Sequence, residues 1–157
     1  DNGLEIKKKT DGTPVLKKRI CGNRFEGTNI YKRGEYYYLF ASIGTCCNGA
    51  TSTYQTVVGR SKNVLGPYLD KTGRDMLYDY CEIIMSGNET WAGPGHNSIL
   101  IQDDVGTDWI IYHGYKKKEA ENGRYVLMDK LIWSNDGWPS VKSNAPSILE
   151  VAPYFQK

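Results

Sequence analysis

The sequence predicts an all-β protein, and three observations support this. Its 157 residues include 12 tyrosines, 4 tryptophans and 17 glycines, and aromatic residues favour strands whereas glycines favour turns. Short apolar runs alternate with polar, glycine-containing segments, as in antiparallel sheets. The same succession of strands then occurs twice. Since single domains of about 100 to 200 residues are common, we expect one structural unit with little helix.

The first group of strands follows a peripheral lead-in at 1–20. It contains the segments "EGTNIYKR" (26–33), "EYYYLFAS" (35–42) and "YQTVVGRS" (54–61). Gly34 marks the first turn, and a loop rich in Gly, Cys, Asn, Ser and Thr precedes the third strand. An irregular stretch is expected over 70–90.

The second group begins with "GPGHNSILIQ" and ends near the C-terminus. Its predicted strands are 93–102, 109–115 and 124–134, with a short outer strand after the turn in "NDGWPSV". A polar turn separates the first two strands, and the polar loop "KKKEAENG" separates the second from the third.

The two groups form an internal repeat. Aligning Asn29 with Asn97 places the second unit about 68 residues after the first. A repeated four-stranded antiparallel unit is typical of the blades of a β-propeller. Because a propeller closes with about 4 to 8 blades, we expect the 157 residues to be the C-terminal portion of a longer domain, or to assemble with a second chain. One blade would span about 20–90 and the next about 91–142.

Charge and hydropathy exclude some classes of function. Twenty basic and 18 acidic residues give a net charge of +2, so no nucleic-acid partner is expected. No apolar run approaches the roughly 18 residues of a membrane span, so no membrane partner is expected either. No basic-then-apolar leader opens the chain.

The four cysteines lack the paired spacing of a structural zinc site. Cys46 and Cys47 are adjacent, and we expect no bond between them because it would be strained. A bridge between Cys21 and Cys81 is left open.

Two polar residues have equivalent positions at the starts of inner strands. Glu26 opens the first unit and His96, in "GPGHNS", the second. Taken alone, Glu26 would be a solvated carboxylate near Arg24 or Arg33, and the histidine a turn residue bonded to a backbone carbonyl. In a propeller, however, inner strands line a shared channel, so the repeat favours a common site.

The sequence also resembles a known family. The segments "RFEGTNIYKRGEYYYLF", "GTCCNGATSTYQTVVGRS", "WAGPGHNSIL", "DWIIYHGY" and "LIWSNDGWPSV" are similar, in order and spacing, to the C-terminal portion of glycoside hydrolase family 43, most closely the endo-1,5-α-L-arabinanases. The similarity runs from about residue 20 to about residue 142. It implies a five-bladed β-propeller that cleaves arabinan, or a related plant cell-wall polysaccharide, by an inverting mechanism.

The resemblance implies roles for single residues. Glu26, in the "EG" motif, would be the general acid, and a partly buried site can raise a carboxyl pKa toward neutrality for this task. His96, in "GHNS", would hold a calcium ion whose other ligands are mostly water. The general base and a pKa-tuning aspartate of the family lie upstream of the similar region. We therefore expect this chain alone to be inactive.

Other residues are candidate sugar contacts. Thr45, Cys46 and Tyr54 belong to the loop that in the family flanks the cleft, although a tight glycine-supported turn would look the same. Trp91 could stack on a sugar ring, or pack between blades. A non-catalytic carbohydrate-binding propeller is the alternative function. Since polysaccharides are met outside the cytoplasm, a secreted or periplasmic location is expected.

Overall fold

A computed structural model of the protein describes residues 8–13 and 18–156, so the predicted lead-in at 1–20 lies partly outside the described residues. The strands are β1 (Glu26–Arg33), β2 (Tyr36–Ile43), β3 (Gln55–Ser61), β4 (Glu82–Met85), β5 (Trp91–Gly95), β6 (Ile101–Gln102), β7 (Asp108–Lys116), β8 (Arg124–Lys130), β9 (Ile132–Trp133) and β10 (Pro139–Ser140). The helices of this part are short 3-10 turns at Gly49–Thr51, Met76–Tyr78, Lys117–Asn122 and Lys142–Asn144. None of them is long and apolar enough to cross a membrane. The predicted all-β class is confirmed.

The first sheet is an antiparallel meander in the order β1-β2-β3-β4. Its first three strands lie where the sequence predicts them, to within one residue. The expectation of irregular structure over 70–90 is wrong for its last part, because β4 pairs with β3 through Val57 and Ile83. The short strand forms because Ile84 and Met85 are buried in the core.

The second sheet has β7 in its centre, β8 on one side and both β5 and β6 on the other. The predicted strand at 93–102 is therefore wrong as a continuous element. His96 has a φ of 52°, a left-handed conformation that ends a strand. Ser98 still donates its backbone N–H to the Ile111 carbonyl at 2.8 Å, so the interrupted strand stays beside β7.

The predicted strand at 124–134 is also divided. Up to Lys130 the chain pairs with β7, whereas from Ile132 it pairs with β10. The buried Leu131 marks the change of partner. A change of partner strand leaves no mark in the hydropathy pattern, which explains the error.

The two sheets share a hydrophobic core. Alternate residues of a strand face opposite sides, and in β2 Tyr38 and Phe40 pack with Ile110, Tyr112 and other residues of the second half. The side chains between them, Leu39, Ala41 and Ile43, pack on the opposite face with Phe25, Val57, Tyr68 and Met76. Because β2 is covered on both faces, the position of its C-terminal end, where the candidate site lies, is fixed.

Candidate active site

Glu26 and His96 lie next to each other where the two sheets meet. Glu26 pairs with Ser42 in the first sheet, and the backbone N–H of His96 donates to Ser42 Oγ at 2.7 Å. Gly27 has a φ of 58°, and a Cβ there would lie only 3.0 Å from His96 Cγ. Only glycine fits both the backbone conformation and the space. The side chains of Glu26 and His96 are exposed.

Tyr54 lies beneath these two residues. Its side chain is fully buried, and its Oη is 3.4 Å from His96 Nδ1. Burial, and to a lesser extent the nearby negative charge of Glu26, raises the pKa of the Tyr54 hydroxyl far above its ordinary value. The hydroxyl therefore stays protonated and available as a hydrogen-bond donor.

His113 completes the cluster and was not singled out from the sequence. Its ring is stacked on Tyr54, with centroids 5.8 Å apart, and on His96, at 6.1 Å. Arg124 Nη1 lies 3.3 Å from His113 Nε2. Since a guanidinium can only donate, Nε2 accepts, and the ring is the neutral tautomer with its hydrogen on Nδ1. Burial and the nearby Arg124 charge lower the pKa of His113, in agreement with a neutral ring.

A signal for His113 exists in the sequence. The residue interrupts the apolar run "WIIYHGY", and a polar side chain within a buried strand calls for a hydrogen-bonding partner. That partner, Arg124, is eleven residues away across the β7–β8 connection. A single sequence does not indicate the pairing.

Strand β5 brings the second sheet into close contact with Tyr54. A Cβ at Gly95 would lie 2.3 Å from Tyr54 Cδ1, and one at Gly93 would lie 2.6 Å from Ser52 Cβ. Thr56 Oγ1 also donates to the Pro94 carbonyl at 3.3 Å. The "GPG" sequence is thus a buried strand against which the site packs, as well as the lead into the turn at His96.

The loop from 44 to 53 carries Thr45 and Cys46, two of the predicted sugar contacts. The hydroxyls of Thr45 and Thr53 are 2.8 Å apart and close the base of the loop. Both threonines are exposed. At its tip, a Cβ on Gly49 would lie 3.6 Å from Ala120 Cβ, so the loop rests on the connection between β7 and β8.

The expectation that Cys46 and Cys47 remain unbonded is wrong, because the two sulfurs form a disulfide. The loop backbone brings the adjacent residues together: Ser52 Oγ accepts from Asn48 N at 2.9 Å and donates to the Cys46 carbonyl at 3.4 Å. Cys21 and Cys81 are free thiols, and burial raises the pKa of each.

Trp91 is a predicted site residue that the structure places away from Glu26, Tyr54 and His96. It lies at the opposite end of β5 from His96, is 9% exposed, and packs edge-on against Tyr125 with centroids 5.8 Å apart. Its Nε1 is buried without a hydrogen-bond partner among the described residues.

His96 is the residue available to hold a metal. Residues 8–13 and 18–156 contain no group of three or more His, Cys, Asp or Glu that could form a metal site by itself. While His96 Nδ1 faces Tyr54 Oη, its Nε2 makes no hydrogen bond with the described residues. One free nitrogen fits a mostly hydrated calcium ion, and does not fit an ion enclosed by protein ligands.

The comparison with known families assigns the chain to a class. The family model "Glycosyl hydrolases family 43" matches residues 4–139. The chain belongs to this family, as its motifs predict.

Two curated relatives are similar to this chain over about three quarters of its length. The extracellular exo-α-(1→5)-L-arabinofuranosidase ArbA of Cellvibrio japonicus is 45% identical over 118 residues, which are 75% of this chain and 33% of the relative. The extracellular endo-α-(1→5)-L-arabinanase 1 of Bacillus subtilis is 41% identical over 120 residues, 76% of this chain and 35% of the relative. The chain thus spans about a third of the length of these relatives.

A solved structure agrees with the assignment to this family. The structure of Cellvibrio cellulosa α-L-arabinanase complexed with arabinohexaose matches with a TM-score of 0.72 and 40% identity, over 85% of this chain and 40% of that one. The match extends across both sheets, since it covers most of the chain.

Proposed function

We propose that residues 1–157 are the C-terminal portion of a five-bladed β-propeller in a longer glycoside hydrolase that cleaves α-1,5-linked arabinan with inversion. Residues of about 20–90 would form one blade and residues of about 91–142 the next. The proposal is supported by the two packed antiparallel sheets, by membership of glycosyl hydrolases family 43, and by the names of the relatives. The missing blades would come from the same gene or from a second chain.

The observation that carries the proposal is the position of Glu26. It is an exposed carboxylate at the start of β1, in the place where both sheets contribute polar side chains. As general acid, the protonated Glu26 would donate to the glycosidic oxygen of the departing sugar. The fully buried Tyr54 beneath it removes water from one side of the carboxyl group.

An inverting reaction also needs a carboxylate that activates water, about 6.5–9.5 Å from the acid. We assign the base, and the aspartate that adjusts the pKa of the acid, to parts of the protein beyond these 157 residues, because the motifs that resemble the family do not include them. Alone, the 157-residue chain would be inactive.

The remaining roles follow from the same site. His96 Nε2 would hold a calcium ion, which supplies positive charge in the channel when bound. Thr45 and Cys46, at the loop surface, would contact the sugar. The relatives named above are extracellular, which supports export of this protein.

The test compares hydrolysis of linear arabinan by the complete protein and by its Glu26→Gln variant. General-acid assistance contributes about 10²- to 10⁴-fold, so we expect a loss of that size in kcat. Glu35→Gln is the matched control. Glu35 is an exposed glutamate just beyond the other end of β1, and its Oε2 lies 3.4 Å from Lys62 Nζ. An unchanged rate in Glu26→Gln would remove this residue from the mechanism. Arabinan binding without hydrolysis by the complete wild-type protein would instead identify a carbohydrate-binding module.

A further inference from the structure

A cavity lies at the opposite end of the first sheet from Glu26. Its volume is about 370 Å³, and its lining includes Tyr36, Arg60, Ser61, Lys62, Asp70 and Lys71. Tyr36 is the first residue of β2, whereas Glu26 pairs with Ser42 near the end of this strand. Six residues of a strand span about 20 Å, so the cavity is separate from the candidate active site. Clefts of about 300–1,000 Å³ are typical of sites for small ligands.

One wall of the cavity is the connection between β3 and β4. Residues 62–81 exceed the length of about 12–15 residues above which an ordered loop commonly has a function. Arg60 and Leu69 exchange two backbone hydrogen bonds of 2.9 Å, which hold the connection against β3. The buried carboxylate of Asp70 fixes the next turn, because it accepts from the Arg74 backbone at 2.9 Å and from Arg74 Nε at 2.8 Å. The wall is therefore held in one conformation.

Two aromatic rings hold Arg60 at the cavity. Its guanidinium carbon lies 4.5 Å from the ring centre of Tyr36 and 4.4 Å from that of Trp138. One hydrogen of Nη1 is donated to the Asp136 carbonyl at 2.5 Å. A guanidinium has five N–H hydrogens, so others remain for a ligand. Because the group is already oriented, little conformational entropy would be lost when a ligand binds to it.

Two lysines lie beside the same rings. Lys62 Nζ is 5.6 Å from the ring centre of Tyr36, and Lys71 Nζ is 5.8 Å from that of Trp138. Lys62 also faces Glu35 at 3.4 Å, but both side chains are exposed, and ion pairs of this kind contribute little. Lys71 forms no ion pair with residues that the structure describes. Both ammonium groups are therefore available to a ligand.

The available polar groups of the cavity are donors. Arginine and lysine side chains can only donate. The acceptors of the lining are already engaged, since Ser61 Oγ accepts from the Asn63 backbone at 3.0 Å and the charge of Asp70 is paired with Arg74. A neutral sugar would also need acceptors for its hydroxyl hydrogens. A carboxylate needs only donors and positive charge, so the cavity suits an anion.

We propose that this cavity binds a carboxylate-bearing sugar, a uronic acid unit of an acidic cell-wall polysaccharide. Arg60 would donate to the carboxylate, and Lys62 and Lys71 would supply further positive charge. Arabinan is uncharged, so the cavity would hold a different polymer from the one that is cleaved and would keep the enzyme on the wall. The choice of a wall polymer rests on the proposed function, whereas recognition of a carboxylate rests on the cavity.

The test measures binding of a galacturonic acid trimer to the complete protein by calorimetry. The variant carries Lys62→Gln and Lys71→Gln together. We expect its affinity to fall by at least about 10-fold, since one hydrogen bond to a charged group already contributes about that factor. Lys118→Gln with Lys142→Gln is the matched control, because both lysines are exposed and neither lines the cavity. The control should bind the trimer as tightly as the wild type.

Two further probes identify the ligand chemistry. The methyl ester of the trimer keeps the sugar rings and loses the charge, so we expect it to bind at least about 10-fold more weakly. Inorganic phosphate has the charge without the sugar and should also bind more weakly than the trimer. Phosphate that binds as tightly as the trimer would show a site for simple anions and would overturn the assignment to a sugar.

Other outcomes would also overturn the inference. These are a wild-type protein that does not bind the trimer, an unchanged affinity in the Lys62 and Lys71 variant, and equal binding of the trimer and its ester. The proposed function is tested separately. The lysine variant should keep its kcat on linear arabinan, and Glu26→Gln should still bind the trimer. If Glu26→Gln retains full activity on arabinan, the proposed function has failed, while trimer binding still decides the present inference.

Discussion

Asn29 donates its side-chain amide to the backbone carbonyl of Asn97, 3.2 Å away across the junction between the two sheets. These are the two residues that the internal repeat aligns. Residues equivalent in sequence are thus in direct contact in the fold. The Oδ1 atoms of both asparagines are buried without a partner in the part of the chain that the structure describes, so each depends on the other hydrogen bonds of its side chain.

Replacing Asn29 by alanine should therefore destabilise the junction. The variant leaves the Asn97 carbonyl without its donor, and a lost hydrogen bond of a partly buried group costs about 1–2 kcal/mol. Denaturant unfolding of the complete protein measures this loss. Asn122→Ala is the control, because Asn122 is exposed. Equal stability of the two variants would show that the contact does not hold the sheets together.

Gly95→Ala should disturb the site more than the surrounding sheet. The new Cβ would lie 2.3 Å from the ring of the buried Tyr54, and overpacking of this kind costs about 1–3 kcal/mol. We expect lower thermal stability and a lower kcat on arabinan. Gly114→Ala is the control, since its nearest neighbour, Leu127 Cδ1 at 3.2 Å, is the end of a flexible side chain. A fully active Gly95→Ala protein would contradict this account of the packing.

Asp103 should make stability depend on pH in the acid range. Burial alone would raise its pKa, but hydrogen bonds from the Trp109 indole and from several backbone amides outweigh burial and lower it. The folded pKa thus lies below the unfolded value of about 3.9. Its contribution is fully present above pH of about 4 and is lost as the pH falls through the lowered folded pKa.

The measurement is the free energy of unfolding from pH 7 down to about pH 2. Asp103→Asn should be less stable than the wild type at neutral pH and should lose less stability on acidification. Asp104→Asn, at the exposed neighbouring position, is the control. Parallel pH profiles for the wild type and Asp103→Asn would refute the assignment.

Arg60→Lys tests how the turn between β9 and β10 is attached to the first sheet. The guanidinium carbon lies 4.5 Å from the ring centre of Tyr36 and 4.4 Å from that of Trp138, and Nη1 donates to the Asp136 carbonyl at 2.5 Å. Lysine cannot reproduce the planar stacking, so we expect the free energy of unfolding to fall by about 1–2 kcal/mol. Arg24→Lys, at an exposed site, should be neutral. Comparable losses in both variants would argue against the specific role of Arg60.

The first three strands of the first sheet could be predicted because each is a run of suitable residues bounded by glycine or polar turns. The short β4 was missed, and the other errors occur where a predicted strand is divided. In the segment 124–134, the chain leaves β7 for β10 at Leu131 without any change in composition. At His96, a non-glycine residue adopts a positive φ, and Ser42 Oγ accepts its backbone N–H.

The repeat predicted that Glu26 and His96 would face a common site. In the structure the two residues are neighbours, since both contact Ser42. The repeat gave no indication of His113 or Arg124, because neither has a counterpart in the first unit and their contact depends on the register of β7 with β8. The repeat also did not indicate that Tyr54 is buried. Its position under the site depends on Gly95, a residue of the other sheet.

The contact between Gly49 and Ala120 has a consequence for protein engineering. A chimera with another family member could exchange a single surface loop or several segments at once. Here the loop bearing the Cys46–Cys47 disulfide faces the 3-10 turn Lys117–Asn122, and a Cβ at Gly49 would lie at ordinary van der Waals distance, 3.6 Å, from Ala120 Cβ. Transplanting either segment alone would replace one side of this contact and keep the other. A chimera that exchanges both segments together preserves it.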